Sequence, residues 1–424
     1  MTPLHRRTFL LALLAFASIT LATARGETKA PVAKLDLAAG DCVVFLGDSI
    51  THQRLYTQYV EDFLYTRFPK MRIKTHNAGV GGAKAWDALQ RFDRDVAAYK
   101  PKYVTVLLGM NDGRYQSYNE EIWQTYHDDM TTLVDRLVEI DAIPILMTPT
   151  MYDSRAALAR KRMPAENYNS VLAYYGTWLR EVATKQGYGF VDMWGPLNNL
   201  TLSQRKTDPD FTMITDSVHP DAPGQLVMAY AIIEDMGLRG GISNIRVTLS
   251  PQGQAKVQGS GGEATDIAGE NGTVAFTWTA DSLPWVVPQA AQSAAKMLNL
   301  GHRASREALE VHGLAPGKYD LFIDDSLVGT YTHVQLARHI ELQSNDKTPQ
   351  YQQALQIAEL NQQRNSGPIG RLRGEWSQFQ RFARARQQAK SATSDEKLAK
   401  QVADWEHKIE GMEERIVEHE RAAQ

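Results

Sequence analysis

From Asp41 to about Gly240, short and nearly continuous apolar runs alternate with longer stretches of helical periodicity. The runs Cys42 to Leu46, Tyr103 to Leu108 and Ile143 to Met147 have the unbroken apolar character of parallel strands covered on both faces. Amphipathic stretches at Tyr56 to Phe68, Glu120 to Ile140 and Asn167 to Gln186 complete βαβ units. The pattern therefore predicts an α/β fold, a three-layer arrangement of a parallel sheet flanked by helices. After Gly241 the texture changes. Ile245, Val247 and Leu249 alternate with polar residues, Gly259 to Gly262 is glycine-rich, and Val274 to Trp278 alternates again, as antiparallel strands do. A second strand pair, Ala308 to Val311 and Tyr319 to Asp324, brackets Ala315-Pro316-Gly317-Lys318, a hairpin or turn sequence. From about Pro349 the chain is rich in Ala, Glu, Gln, Lys and Arg. Leu398, Val402, Trp405, Ile409, Met412 and Ile416 are spaced alternately four and three apart. That stripe lasts under three heptads, which favours a helix packed on its own protein over a dimerising coiled coil. The expected division is an α/β domain over residues 38–240, a β-rich appendage over 241–345 and a helical C-terminal region over 346–424.

The first 24 residues read as an address. Arg6 and Arg7 precede an apolar run from Phe9 to Leu21, and Ala22-Thr23-Ala24 has the small residues of a cleavage site. The run is short for a bilayer span, and the paired arginines followed by Thr8-Phe9-Leu10 resemble a twin-arginine export signal, from which His5 and Leu11 depart. Export to the periplasm or the exterior is expected, with no stable membrane span once the segment is removed; a retained N-terminal anchor is the alternative. Composition adds mainly exclusions. A chain of 424 residues exceeds what one core usually serves, and a net charge of -3 with both signs mixed along the chain provides no basic stripe for nucleic acid. The single cysteine, Cys42, lies in a strand-like run and offers neither a disulfide framework nor a lipid-attachment site. No cluster of His, Cys and carboxylates has metal-ligand spacing.

Four segments carry candidate chemistry. Gly47-Asp48-Ser49-Ile50-Thr51 follows the first strand and places a hydroxyl at the C-terminal sheet edge, where ligands bind in open α/β sheets. The start of the next helix offers backbone N–H groups to a developing anion there, although Asp48 and Ser49 also read as helix caps. Asn77-Ala78-Gly79-Val80-Gly81-Gly82 is a glycine-rich loop, either a close backbone approach to a ligand or a tight turn. Gly109-Met110-Asn111-Asp112-Gly113 ends the next apolar run, and its Asn amide can serve an oxyanion or simply a turn. Asp216-Ser217-Val218-His219-Pro220 puts an acid and a base three residues apart, so that Asp216 can fix the tautomer of His219. An Asp turn residue beside an incidental histidine is the plainer alternative.

In order and spacing these four segments resemble the blocks of the SGNH (GDSL-like) hydrolase superfamily: GDS, a glycine block, G-x-N-D and D-x-x-H. The resemblance covers roughly residues 40 to 240. It implies that Ser49 is the nucleophile, His219 the general base and Asp216 the residue that orients it. It further implies an oxyanion hole made of the Ser49 backbone N–H, a loop glycine and the Asn111 side chain. Counting from Asn77 puts the family's glycine at Gly82, with Gly79 and Gly81 as competitors. Ile50 stands where the GDSL name has leucine. His52, His76 and Trp86 lie near these blocks and read as cavity-lining or surface residues. A serine mechanism of this kind needs no cofactor. The activity expected is hydrolysis of an ester, with an acetylated glycan as the first substrate class by analogy with exported relatives. A lipid or thioester hydrolase fits the same blocks. A catalytically silent glycan-binding protein is the contrasting class, and it would not require Ser49, Asn111, Asp216 and His219 together.

Overall fold

The computed structural model of the chain describes residues 30–159, 167–270, 272–391 and 395–424. The export signal expected over residues 1–24 lies outside them. Five strands form the central sheet: β1 (Cys42–Gly47), β2 (Lys74–Gly79), β3 (Tyr103–Leu107), β4 (Ile143–Met147) and β5 (Gly189–Val191). They run parallel in the order β2-β1-β3-β4-β5. The helices around it are α1 (Ser49–His52), α2 (Leu55–Arg67), α3 (Ala85–Asp95), α4 (Glu120–Glu139), α5 (Ser154–Ala159), α6 (Tyr168–Gln186), α7 (Trp194–Gln204) and α8 (Ala222–Asp235). Burial on both faces explains why β1, β3 and β4 read as unbroken apolar runs: Val44, Phe45, Leu46, Val104 and Val106 have no solvent exposure. The strand order reverses direction between β1 and β3, and their carboxyl ends therefore flank the crevice in which doubly wound sheets bind ligands. Gly47 closes β1 because a Cβ there would sit 2.1 Å from Thr51 Oγ1, so only glycine lets α1 fold back against the strand end.

Beyond Gly241 come β6 (Ser243–Leu249), β7 (Ala255–Ser260), β8 (Gly262–Glu270), β9 (Thr273–Ala280), α9 (Gln292–Met297), α10 (Leu300–Ala304), β10 (Glu307–His312), β11 (Lys318–Ile323), β12 (Ser326–Thr332), α11 (His333–Arg338) and β13 (Ile340–Glu341). One sheet has the order β13-β10-β6-β7, while β8-β9 and β11-β12 are separate two-stranded ribbons. The Ala315–Lys318 turn does not close the hairpin expected of the strands flanking it. β10 pairs in parallel with β6, and β11 pairs with β12. Alternation tells a strand which face it buries but not its partner, and a parallel pair needs a long crossover. That crossover includes the segment from Trp285 to Ala304. Its Trp285, Val287, Ala291, Ala294, Leu300 and Ala304 belong to the same apolar core as the central sheet. Ile245, Val247, Leu309, Leu336, Ile340 and Leu342 form a second, small core.

The C-terminal helices are α12 (Pro349–Arg364), α13 (Gly370–Ser391), α14 (Glu396–Ile409) and α15 (Met412–Ala423). Gly411, at φ +65°, breaks the apolar stripe between α14 and α15. α14 lies along α13, with the Arg381 guanidinium 5.5 Å from the Trp405 ring centre, and Met412 and Ile416 enter the main core. Buried polar groups join these helices to the sheet domain. Asn361 donates to Asp62 at 2.8 Å and Asn365 to Glu61 at 2.7 Å, so the two buried acids on α2 find partners about 300 residues away. Deeper still, Arg373 of α13 donates to both oxygens of Asp95 at 2.7 and 2.8 Å, and Arg91 reaches the same carboxylate. His76 completes the cluster at 3.0 Å from Asp95 and stacks on Tyr99. Burial, only partly offset by the Asp95 hydrogen bond, lowers His76 to about 4. Among the described residues no helix is long and apolar enough to cross a membrane.

Candidate active site

Asp48 is the N-cap of α1, and its Oδ1 accepts from the Ile50 amide at 2.9 Å. This turn lifts Ser49 out of the strand line to the C-terminal sheet edge. His219 arrives from the loop before α8, in a turn organised by Asp216. Oδ1 of Asp216 accepts from the backbone amides of Val218 and His219 at 2.9 and 2.7 Å, while Oδ2 lies 2.6 Å from His219 Nδ1. Ser217 adopts φ +78° to make this turn. Across 170 residues of sequence, His219 Nε2 then stands 2.8 Å from Ser49 Oγ. Burial works to raise the Asp216 pKa, but the three hydrogen bonds from His219 and Val218 outweigh it and hold the carboxyl below its ordinary value. An ionised Asp216 accepts from Nδ1–H, which leaves the Nε2 lone pair facing the hydroxyl.

Asn111 follows β3 and bridges the other two segments. Its Nδ2 lies 3.3 Å from Asp48 Oδ2 and 3.2 Å from the Ala83 carbonyl, while its Oδ1 accepts from the Tyr115 hydroxyl at 2.9 Å. Tyr115 thus fixes which way the amide faces. Asp112 ties the same pieces together through its two oxygens, which accept from the Ala85 and Gly109 amides at 2.9 Å each. Burial pushes both Asp48 and Asp112 up to about 7. Of the three glycines in the loop, Gly79 spends its N–H on Asn77 Oδ1. Gly82, at φ +69°, lines a cleft together with Asn111, whereas neither Gly79 nor Gly81 lines it. Among the described residues the amides of Ser49 and Gly82 donate to no protein acceptor. The cleft measures about 620 Å³, and Trp86, Lys84, Arg114, Tyr115 and Arg384 are among its walls.

The sequence reading singled out Ser49, Gly82, Asn111, Asp216 and His219, and all five stand at this edge of the sheet. His76 is buried in the ionic cluster beneath α13, away from the cleft. His52 is half-buried next to Ser49 in α1, and burial, with Arg54 as the next cause, lowers it to about 4. Tyr115 joins the site from four residues after Asn111, and that turn-length spacing is its one signal in the sequence. Gln380 and Arg384 of α13, which also touch the glycine loop, carried no signal in the sequence.

A five-stranded parallel sheet of this order, flanked by helices and with the four sequence blocks gathered at its C-terminal edge, is an SGNH-like α/β fold. Residues 45–227 match the model of the GDSL-like lipase/acylhydrolase family. It is similar to an acetylxylan esterase of Geobacillus stearothermophilus, 25% identical over 226 residues that make up 48% of this chain and 97% of the relative. Among solved structures it is similar to a gut microbial diltiazem-metabolizing enzyme, at 27% identity and a TM-score of 0.75 over 93% of each chain. The second likeness extends through the appendage and the C-terminal helices. The family match and the acetylxylan esterase relative together support an esterase of the SGNH hydrolase type.

Proposed function

We propose that this protein is an exported serine esterase that removes acetyl groups from O-acetylated carbohydrate through an acyl-serine intermediate. The observation that carries the reading is the connected line Ser49 Oγ, His219 Nε2, His219 Nδ1, Asp216 Oδ2, with contacts of 2.8 and 2.6 Å. Ser49 Oγ attacks the acetyl carbonyl carbon as its proton passes to His219 Nε2, and Asp216 stabilises the imidazolium that forms. The carbonyl oxygen becomes an anion facing the Ser49 and Gly82 amides and Asn111 Nδ2. Collapse breaks the bond to the sugar oxygen, which leaves with the proton from Nε2. Water repeats the sequence on the acetyl-serine and releases acetate.

The glycan part of the proposal rests on the cleft and on the acetylxylan esterase relative. Trp86 offers a flat face for a sugar ring, while Lys84 and Arg114 offer donors to hydroxyl groups. The export part rests on the segment before residue 25. The full-length likeness to an enzyme that metabolizes diltiazem, a small molecule, gives a second reading, an esterase for compact esters. Acetate release from acetylated xylan and xylooligosaccharides, beside a p-nitrophenyl ester series of rising chain length, separates the two. Polysaccharide turnover with a sharp preference for acetyl over longer chains is the expected result. Turnover confined to small aryl esters would remove the glycan assignment, and a preference for long acyl chains would favour a lipase.

Asn111→Ala is expected to lower kcat by about 10² to 10³ with KM nearly unchanged, because its amide meets the oxygen chiefly when that oxygen is an anion. The amide's contacts within the protein are long, so little stability is lost with them. Parallel measurement of kcat, KM and the thermal midpoint decides the matter: a full kcat with a lowered midpoint would make Asn111 a turn residue.

A further inference from the structure

The Gly81–Gly82 peptide is the one whose N–H the esterase mechanism uses, and it is the central peptide of a turn closed by the Ala83 amide on the Val80 carbonyl at 3.1 Å, a bond that leaves the orientation of the central peptide open. A Cβ built on either glycine would meet nothing within 4 Å, so neighbouring side chains do not confine the backbone there. Two successive glycines also make this peptide plane the easiest in the loop to flip, since no Cβ restricts the φ and ψ on either side. A flip of roughly 180° would turn the Gly82 N–H away from the site and put a carbonyl oxygen in its place, where a developing oxyanion would be repelled.

Two side chains one turn apart on α13 hold this loop. Gln380, itself buried, donates from Nε2 to the Gly81 carbonyl at 2.9 Å. Arg384 donates from Nη2 to the next carbonyl, that of Gly82, at 2.6 Å. A trans peptide holds its C=O and N–H on opposite sides, so anchoring the Gly81 oxygen toward α13 directs the Gly82 N–H away from α13. Arg384 is in turn held by a fork onto Asp87, with Nε–Oδ1 at 2.8 Å and Nη2–Oδ2 at 2.6 Å. Asp87 is buried and accepts from the Lys84 amide at 2.8 Å, which fixes the start of α3 just past the loop. α13 is itself seated by the Arg373–Asp95 pair and by Leu372 and Trp376 in the main core.

We infer that α13 is a positioning element of the ester site: Gln380 and Arg384 hold both carbonyls of the glycine loop so that the Gly82 N–H stays aimed at the oxyanion. This inference rests on the esterase reading above. It gives the C-terminal helices a role in the chemical step, although they contribute no atom to the reacting groups. A contact that acts only through an oxyanion donor changes kcat and the binding of tetrahedral mimics, and leaves ground-state substrate binding alone.

The test uses the full chain with Gln380→Met, which keeps size but removes the donor, and Arg384→Lys beside Arg384→Ala. Each is measured for kcat and KM on p-nitrophenyl acetate, for inhibition by a phenylboronic acid that adds to the serine as a tetrahedral anion, and for thermal midpoint. Expected is a fall in kcat of about 10- to 100-fold for Gln380→Met and Arg384→Ala, short of or equal to the loss of a whole oxyanion donor. The boronate inhibition constant should rise in step, KM should stay within about threefold, and lysine at 384 should restore part of kcat. A folded Gln380→Met and a folded Arg384→Ala that both keep the wild-type kcat and boronate affinity would overturn the inference while leaving the esterase reading intact. Changes confined to KM or to the midpoint would do the same. Absence of ester turnover by the wild-type chain would instead sink the esterase reading, and the inference with it.

Discussion

Ser49→Ala is expected to lower kcat/KM for acetyl esters by about 10⁴-fold or more while the fold and its thermal midpoint stay nearly unchanged. The hydroxyl is the atom that bonds to the acyl carbon, so no neighbouring group can take its place. It is only half-buried at the sheet edge, and the hydrogen bond it forms goes to His219, so its removal leaves no buried polar group stranded. Residual turnover should remain above the uncatalysed rate, because the Ser49 and Gly82 amides and Asn111 survive to polarise a bound ester. Adding His219→Ala to Ser49→Ala should cost little more, since the two residues act as a unit and lose their function together. Steady-state rates on an acetyl ester, with circular dichroism to verify folding, provide the check. A Ser49→Ala protein that retains even a tenth of wild-type turnover would put the nucleophile elsewhere.

Asp95→Ala is expected to destabilise the whole chain by about 3 to 5 kcal/mol, far from any reacting atom. Asp95, Arg91 and Arg373 have fully buried side chains, and the carboxylate is what neutralises two guanidiniums that otherwise face each other out of reach of water. Burial alone would raise the Asp95 pKa, but Arg373, the His76 hydrogen bond and Arg91 together depress it well below the ordinary carboxylate range. A carboxyl that is harder to protonate folded than unfolded stabilises the protein above the usual carboxylate pKa near 4 and loses that contribution as the pH falls below it. Wild-type stability should therefore drop on acidification, and the acid-dependent part should shrink in Asp95→Ala. Denaturant midpoints at pH 7 and at about pH 2 measure both effects, and a variant as stable as wild type at pH 7 would refute the account. The same cluster bears on the expected division of the chain at residue 240. A chain ended there lacks Arg373, Asn361 and Asn365, leaving Asp95, Asp62 and Glu61 buried without those partners, and it also lacks the core residues from Trp285 to Ala304. Such a fragment is expected to aggregate.

The sequence by itself determined the parallel character of the sheet and three of its strands, β1, β3 and β4, because strands covered on both faces must be apolar throughout and therefore stand out as runs; β2, Lys74-Thr75-His76-Asn77-Ala78-Gly79 at the sheet edge, and the short β5 do not. The five residues at the C-terminal sheet edge were legible only through the resemblance of their four blocks taken together; each block lies near a strand end or a helix start, and local chain geometry carries it to that edge. Asp216 and His219 form their pair within a single turn, so their spacing alone was informative. What the sequence did not contain was the choice of partners across long distances. β10 alternates as any half-buried strand does, and nothing in its own residues says that it lies parallel to β6. Glu61 and Asp62 are acids on α2 that are buried, and the residues that satisfy them, Asn361 and Asn365, come from α12 and its end. Gln380 and Arg384 sit in a stretch whose composition suggests an exposed helix, yet they grip the glycine loop about 300 residues earlier. Pattern reveals what each segment must bury, since burial is a property of the segment's own side chains. Which buried donor meets which buried acceptor is settled only when the whole chain has closed around both.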